Sequence, residues 1–179
     1  DALEAYLLAL AIPTTLGIAA TAAMAPVLAP VFMRLQQDAS KGAGEIRDVL
    51  RQATLGLTLF SVVVFILMWL FRDGIVDLTA PGFAPEKKAM MSAVLPVLAA
   101  SLLFSNLAGL WSGVLIAERR LALAVITPAA VPFTILLAIF SGNMTADADV
   151  LAWATLCGAV IHAALTGWVV QRRGWLVGP

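Results

Sequence analysis

Five long stretches without a charged residue divide this sequence. They run over residues 5–33, 52–71, 89–117, 121–146 and 150–171. About 20 apolar residues, rising roughly 1.5 Å each, cross a hydrocarbon core of roughly 30 Å as a helix. Each stretch is long enough to do so, and the sequence therefore predicts five transmembrane helices.

The composition restricts the fold class further. Hydrophobic residues make up 61% of the chain and charged residues 12%, against about a quarter charged in soluble domains. Inside a bilayer only helices and closed barrels satisfy their backbone polar groups, and the stretches lack the alternation of barrel strands. We predict an all-α integral membrane protein, a single transmembrane domain over residues 1–179 with helices at about 5–33, 53–71, 90–117, 121–141 and 150–171.

The lysines and arginines predict the orientation. Eight of the eleven fall on one side of such a bundle, and an excess of these residues marks the cytoplasmic face. We therefore expect a multi-pass protein with the N-terminus outside and the C-terminus inside. The eight are Arg34, Lys41, Arg47, Arg51, Arg119, Arg120, Arg172 and Arg173.

The sequence contains no recognisable catalytic or metal-binding pattern. Cys157 and His162 are each the single residue of their type, so clustered metal ligands and disulfides are excluded as organising features. Walker phosphate loops, nucleophile elbows and basic-aromatic surfaces are also missing. We expect no catalytic residue, no cofactor, no metal and no nucleic-acid partner, and hence no enzyme.

Prolines within three of the five predicted helices favour transport. Proline removes a backbone hydrogen bond and kinks a helix, and kinked helices around a cavity are common in transporters. The plainer interpretation is that proline is simply more frequent in membrane helices than in soluble ones. The prolines are Pro13, Pro26, Pro30, Pro96, Pro128 and Pro132.

Two polar residues within the spans are candidates for function. Asn106 lies near the middle of the third span, where an amide without a partner is costly, so it must face protein or water. His162 titrates near neutral pH and suggests proton coupling, although a packing or hydrogen-bonding role is the alternative. Gly109 and Gly113, four residues apart, predict a close helix contact.

The connection between the second and third spans, "LTAPGFAPEKKAM", predicts a structural turn on the outside. Proline followed by glycine favours a type II turn with positive φ at the glycine. We expect Pro85 to begin the next helix and the two lysines after it to stay in water or near lipid phosphates. The turn residues are Pro81, Gly82 and Phe83, and the lysines are Lys87 and Lys88.

Several motifs resemble the MviN/MurJ lipid II flippases. The resemblance rests on "TAPGF" at 79–83, on "SGVLIAERRLALAVITPAAVPFTIL" at 112–136, on "EAYLLALAIPTTL" from Glu4, and on the final "RRGWLVGP". It covers nearly the whole chain, and the Ala-Pro-Gly-Phe turn is its most specific part.

This resemblance implies a two-lobe exporter of the bacterial cytoplasmic (inner) membrane that works by alternating access. The five helices would be the second to sixth of the N-terminal lobe, in a piece of a longer transporter. The implied function is a flippase for a lipid-linked saccharide, either a lipid II-like peptidoglycan precursor or an exopolysaccharide unit. The implied partners are that substrate, membrane lipids, a coupling ion or the membrane potential, and proteins of cell-envelope synthesis.

The first helix departs from the family pattern. Gly17 and Ile18 stand about where the family has paired arginines, and neither can grip a diphosphate as arginine does. The alternative is therefore a non-transporting pseudo-flippase that scaffolds an envelope assembly complex. For a transporter, the substrate-cavity candidates are Thr14, Thr15, Gly17, Thr21, Asn106 and His162.

Overall fold

The computed structural model describes residues 2–37, 42–141 and 147–172, without the side chains of residues 20–43. Every regular element in this part is helical. The α-helices are α1 (Ala2–Gln37), α2 (Gly42–Leu70), α3 (Arg72–Thr79), α4 (Pro85–Ala117), α5 (Leu121–Ile126), α6 (Ala130–Ser141) and α7 (Ala148–Arg172), and a 3₁₀ turn (Thr127–Ala129) joins α5 to α6.

The described residues contain five helical spans long and apolar enough to cross a membrane, which confirms the predicted number. Four of them match α1, α2, α4 and α7, and α5 with α6 forms the remaining one. α2 and α4 extend beyond the predicted spans 53–71 and 90–117, to starts at Gly42 and Pro85. The predicted spans begin where the charged residues end, but a helix continues through charged residues once it leaves the hydrocarbon.

Helix α4 lies at the centre of the bundle. It packs against α1, α2, α3, α5 and α7, whereas α6 packs mainly against α7. Half of the α4 and α7 spans is buried, but only 11% of the span Leu121–Ser141. The apolar outer face of that span, with Phe133, Leu137 and Phe140 exposed, suits contact with lipid chains.

Short helix α3 was not predicted. Its eight residues are too few to be stable alone, and contacts with α4 stabilise it. Asp73 accepts a hydrogen bond from Ser92, Asp77 pairs with Lys88 at 2.7 Å, and Val76 is buried. None of these partners is close in sequence, so the local pattern indicated only a loop.

The proline-glycine turn exists, but its predicted type is wrong. The amide of Phe83 donates to the carbonyl of Ala80 at 3.2 Å, closing a four-residue turn. Gly82 does not have a positive φ, and a Cβ built on it meets nothing within 4 Å. Pro85 is the first residue of α4 as predicted. We call the end of the bundle that carries residues 80–84 the turn end.

The two lysines beside this turn are partly exposed, and each also forms an ion pair that was not predicted. Lys87 Nζ donates to Glu4 of α1 at 2.7 Å, and its ammonium also lies 5.2 Å from the centre of the Phe83 ring. Lys88 Nζ donates to Asp77 of α3 at 2.7 Å. Both lysines therefore connect α4 to neighbouring helices, which sequence spacing alone did not reveal.

The fourth span is interrupted at its proline. Pro128 lies in the 3₁₀ turn and has no N–H to donate to a preceding carbonyl. The hydroxyl of Thr127 donates to the carbonyl of Leu123 at 2.9 Å. The predicted kink therefore appears as a change of helix type between α5 and α6.

Close helix contacts occur at two glycines of α7 that were not predicted to make them. A Cβ on Gly158 would lie 2.6 Å from the Cα of Val131 in α6, and one on Gly167 would lie 2.6 Å from the Trp111 ring in α4. Gly113 has nothing within 4 Å, so the prediction of a close contact there is wrong.

Candidate functional site

A groove of about 330 Å³ runs between α1 and α4. Most of its lining side chains are small or apolar, and none is charged. Because residues 5–33 and 89–117 contain no charge, neither helix can place an ion in it at membrane depth. The lining residues are Pro13, Thr14, Gly17 and Ile18 of α1, and Ser101, Leu102, Ser105, Asn106 and Gly109 of α4.

Gly17 sets the distance between the two helices. A Cβ at this position would lie 2.6 Å from Leu102 Cδ1 and 3.2 Å from Asn106 Oδ1. Ordinary van der Waals contact begins at about 3.4 Å, so a side chain here would require at least Leu102 to move. Gly17 therefore serves as a contact between α1 and α4.

Asn106 connects three helices at the inner edge of the groove. Its side chain is 2% exposed, and Nδ2 donates to Ser61 Oγ of α2 at 2.9 Å. Ser61 is itself fully buried. The prediction that this amide faces protein or water is confirmed, and its partner is protein. A buried amide that is paired in this way fixes helix positions, because breaking the pair leaves polar groups unsatisfied.

The threonines of α1 use their hydroxyl groups within their own helix. Thr14 donates to the carbonyl of Leu10 at 2.8 Å, and Thr15 donates to that of Ala11 at 2.7 Å. Both side chains are exposed, but only Thr14 lines the groove. The hydroxyl of Thr21 lies outside the described side chains.

His162 lies on α7, apart from the groove lining. It is 8% exposed, and Nε2 has no hydrogen-bond partner among the described residues. The structure therefore brings Thr14, Gly17 and Asn106 together in one groove and places His162 elsewhere. The role of each in substrate binding stays a prediction.

Three groove residues carry a sequence signal that was not interpreted as a site. Ser101, Ser105 and Gly109 follow each other at intervals of four residues, which places small side chains on one face of α4. Ser105 and Gly109 are exposed, so this face forms an open wall. Pro13 was noted as a helix proline and Ile18 as a departure from the family pattern, but neither was predicted to line a groove. Leu102 gave no signal, because it resembles any other membrane-facing residue.

The described residues contain no group of three or more histidine, cysteine, aspartate and glutamate side chains that could hold a metal ion. The groove instead presents hydroxyl, amide and hydrocarbon groups. Such a surface can hold sugar hydroxyls or a lipid chain, but it cannot neutralise a phosphate.

The family model described as "Lipid II flippase MurJ" matches residues 2–179. No curated protein matches the chain.

Proposed function

Because the chain belongs to the lipid II flippase MurJ family, we propose that it moves a lipid-linked saccharide across the bacterial cytoplasmic membrane by alternating access. It acts as a multi-pass transporter and not as an enzyme. The proposed substrate is a lipid II-like peptidoglycan precursor, and an exopolysaccharide unit is the alternative. The five spans form part of the N-terminal lobe. The family match over residues 2–179 is the observation on which this proposal depends.

The uncharged lining of the groove between α1 and α4 indicates which part of the substrate it contacts. An undecaprenyl-type substrate carries a charged diphosphate, uncharged sugars and a long apolar chain. Arginine pairs recognise diphosphates through charge-assisted hydrogen bonds, but the groove offers only uncharged groups. It therefore contacts the sugar or the lipid chain, and another part of the transporter holds the diphosphate.

We propose that the turn end faces the outside and the connection between α4 and α5 faces the cytoplasm, as the lysine and arginine distribution indicates. Single cysteines at Ala84 and Arg119, in a Cys157→Ala background, test this orientation. An impermeant maleimide applied to intact cells should label position 84 and spare position 119. The reverse pattern would contradict the orientation.

Transport is tested in proteoliposomes with a fluorescent undecaprenyl-diphosphate saccharide and the full-length protein. Ser105→Leu places a larger side chain in the groove and should slow transport. Ser141→Leu makes the same change at an exposed position at the end of α6 and should not. If the folded wild type moves no substrate, the pseudo-flippase is favoured. Equal transport by both variants would show that the groove is not used.

A further inference from the structure

The first part of α1, before Pro13, packs against the rest of the bundle through specific contacts. Glu4 pairs with Lys87 of α4 at 2.7 Å, and the Tyr6 hydroxyl is hydrogen-bonded to Thr155 Oγ1 of α7 at 2.7 Å. Ala9 is fully buried. These contacts lie before Pro13 and connect α1 to two different helices, so this segment cannot shift without breaking several of them.

After Pro13, most of the described side chains of α1 are exposed. From residue 14 to residue 19, the last α1 residues whose side chains are described, only Gly17 is buried. Leu16 is 39% exposed and Ile18 is 69% exposed. Over this stretch the buried position is therefore a glycine, which has no side chain to interlock with α4.

The backbone between these two stretches is weakened at consecutive carbonyls. Pro13 has no N–H, so the carbonyl of Ala9 lacks its usual helical donor. The hydroxyl groups of Thr14 and Thr15 donate to the carbonyls four residues earlier, at 2.8 and 2.7 Å. Such back-bonding slightly destabilises and often bends a helix. The three residues together make bending easier here than in an uninterrupted helix.

A fixed support lies beside this weakened turn. Gly17 rests on Leu102 and Asn106 of α4, and the Asn106 amide is held by its hydrogen bond to Ser61 of α2. The α4 surface beneath Gly17 is therefore held in place by α2, and α1 contacts it with a glycine.

From these observations we infer that α1 contains a hinge at residues 13–17, about which its following segment swings against Asn106. The movement changes the width of the groove at Ile18, which follows the hinge and faces the wall formed by α4. Thr14 and Thr15 then act in bending α1 and not in contacting substrate. The inference rests on the proposed function, because a transporter that alternates between two shapes requires such a movement.

Spin-label distances in the full-length protein in nanodiscs test the hinge. One label at Ile116 of α4 is paired with a label at Leu3, before the hinge, or at Ala19, after it, in a Cys157→Ala background. Positions 3, 19 and 116 are exposed. The 19–116 distance should be broad or double and the 3–116 distance single. Equal widths for the two pairs would overturn the hinge.

Three variants separate bending from other effects of substitution. Pro13→Ala restores a backbone donor and should narrow the 19–116 distance and slow transport. Thr14→Val with Thr15→Val should do the same, and it serves as the second test if Pro13→Ala folds poorly. Pro96→Ala is the matched control inside α4 and should change neither measurement. Unchanged distances in both hinge variants would overturn the inference.

The distance and transport measurements distinguish a failure of the hinge from a failure of the proposed function. The distances are measured without substrate, so a protein that bends at residues 13–17 but moves no saccharide contradicts the proposed function and supports the hinge. A protein that transports with a single, unchanged 19–116 distance contradicts the hinge and supports the proposed function.

Discussion

At Gly158, helices α6 and α7 approach each other too closely for any side chain. A Cβ built there lies 2.6 Å from the Cα of Val131 and 2.5 Å from Thr134 Oγ1. Since the first of these atoms belongs to the backbone, no rotamer change can relieve the contact. Reaching 3.4 Å, where ordinary contact begins, requires α6 to move away by about 0.8 Å. The same movement stretches the 2.9 Å hydrogen bond from Thr134 to the carbonyl of Ala154.

The expected effect of Gly158→Ala on stability follows from three contributions. Overpacking costs about 1–3 kcal/mol, and weakening an interhelical hydrogen bond in a membrane costs about 0.6 kcal/mol on average. Replacing glycine by alanine in a helix recovers about 1 kcal/mol. The free energy of unfolding should therefore fall by about 0.6–2.6 kcal/mol.

Unfolding in mixed micelles with increasing dodecyl sulfate, followed by circular dichroism, measures this change. Gly113→Ala is the matched control, because a Cβ at that position meets nothing within 4 Å. It should leave stability unchanged or raise it by up to about 1 kcal/mol. The reasoning is refuted if Gly158→Ala is as stable as wild type, or if Gly158→Ala and Gly113→Ala lower the free energy of unfolding equally.

The remaining predictions use the same unfolding measurement. Arg119 has φ 60°, so Arg119→Gly should raise stability by about 1 kcal/mol, and any loss would show that its side chain matters more than the strain. Gly82→Val should leave the folded yield near that of wild type, since the turn needs no positive φ; a sharp drop would contradict the turn geometry. Lys87→Ala with Lys88→Ala should cost little stability, because both ion pairs are exposed, and the loss should shrink at high salt; a salt-independent loss would point to packing. Asn106→Leu should lower the free energy of unfolding by about 1 kcal/mol. An unchanged unfolding midpoint would show that the hydrogen bond of Asn106 is not needed for stability.

The transmembrane spans could be predicted because their signal is local. A charged side chain is costly in the hydrocarbon core whatever helix packs beside it, so uncharged stretches such as 121–141 mark membrane-embedded segments without any knowledge of neighbours. The start of α4 at Pro85 was predictable for a similar reason. Proline fits the first position of a helix regardless of what packs against it.

The candidate site could be predicted only in part. Asn106 was a candidate because an amide at membrane depth requires a partner, but the identity of that partner, Ser61, depends on how α2 lies against α4. Gly17 was a candidate only through the resemblance, and its close approach to Leu102 was not predictable. His162 was grouped with these residues by chemistry alone, and the rotation of α7 places it elsewhere.

Composition and charge spacing by themselves determined an all-helical membrane protein with five spans, since the bilayer imposes the same requirement on every segment that enters it. The tertiary structure decided the features that depend on two segments meeting. These are the folding of α3 on α4, the ion pairs of Lys87 and Lys88, the closest approach at Gly158 in place of Gly113, and the groove between α1 and α4. Such contacts depend on the relative rotation and depth of packed helices, which many sequences of the same hydrophobicity would set differently.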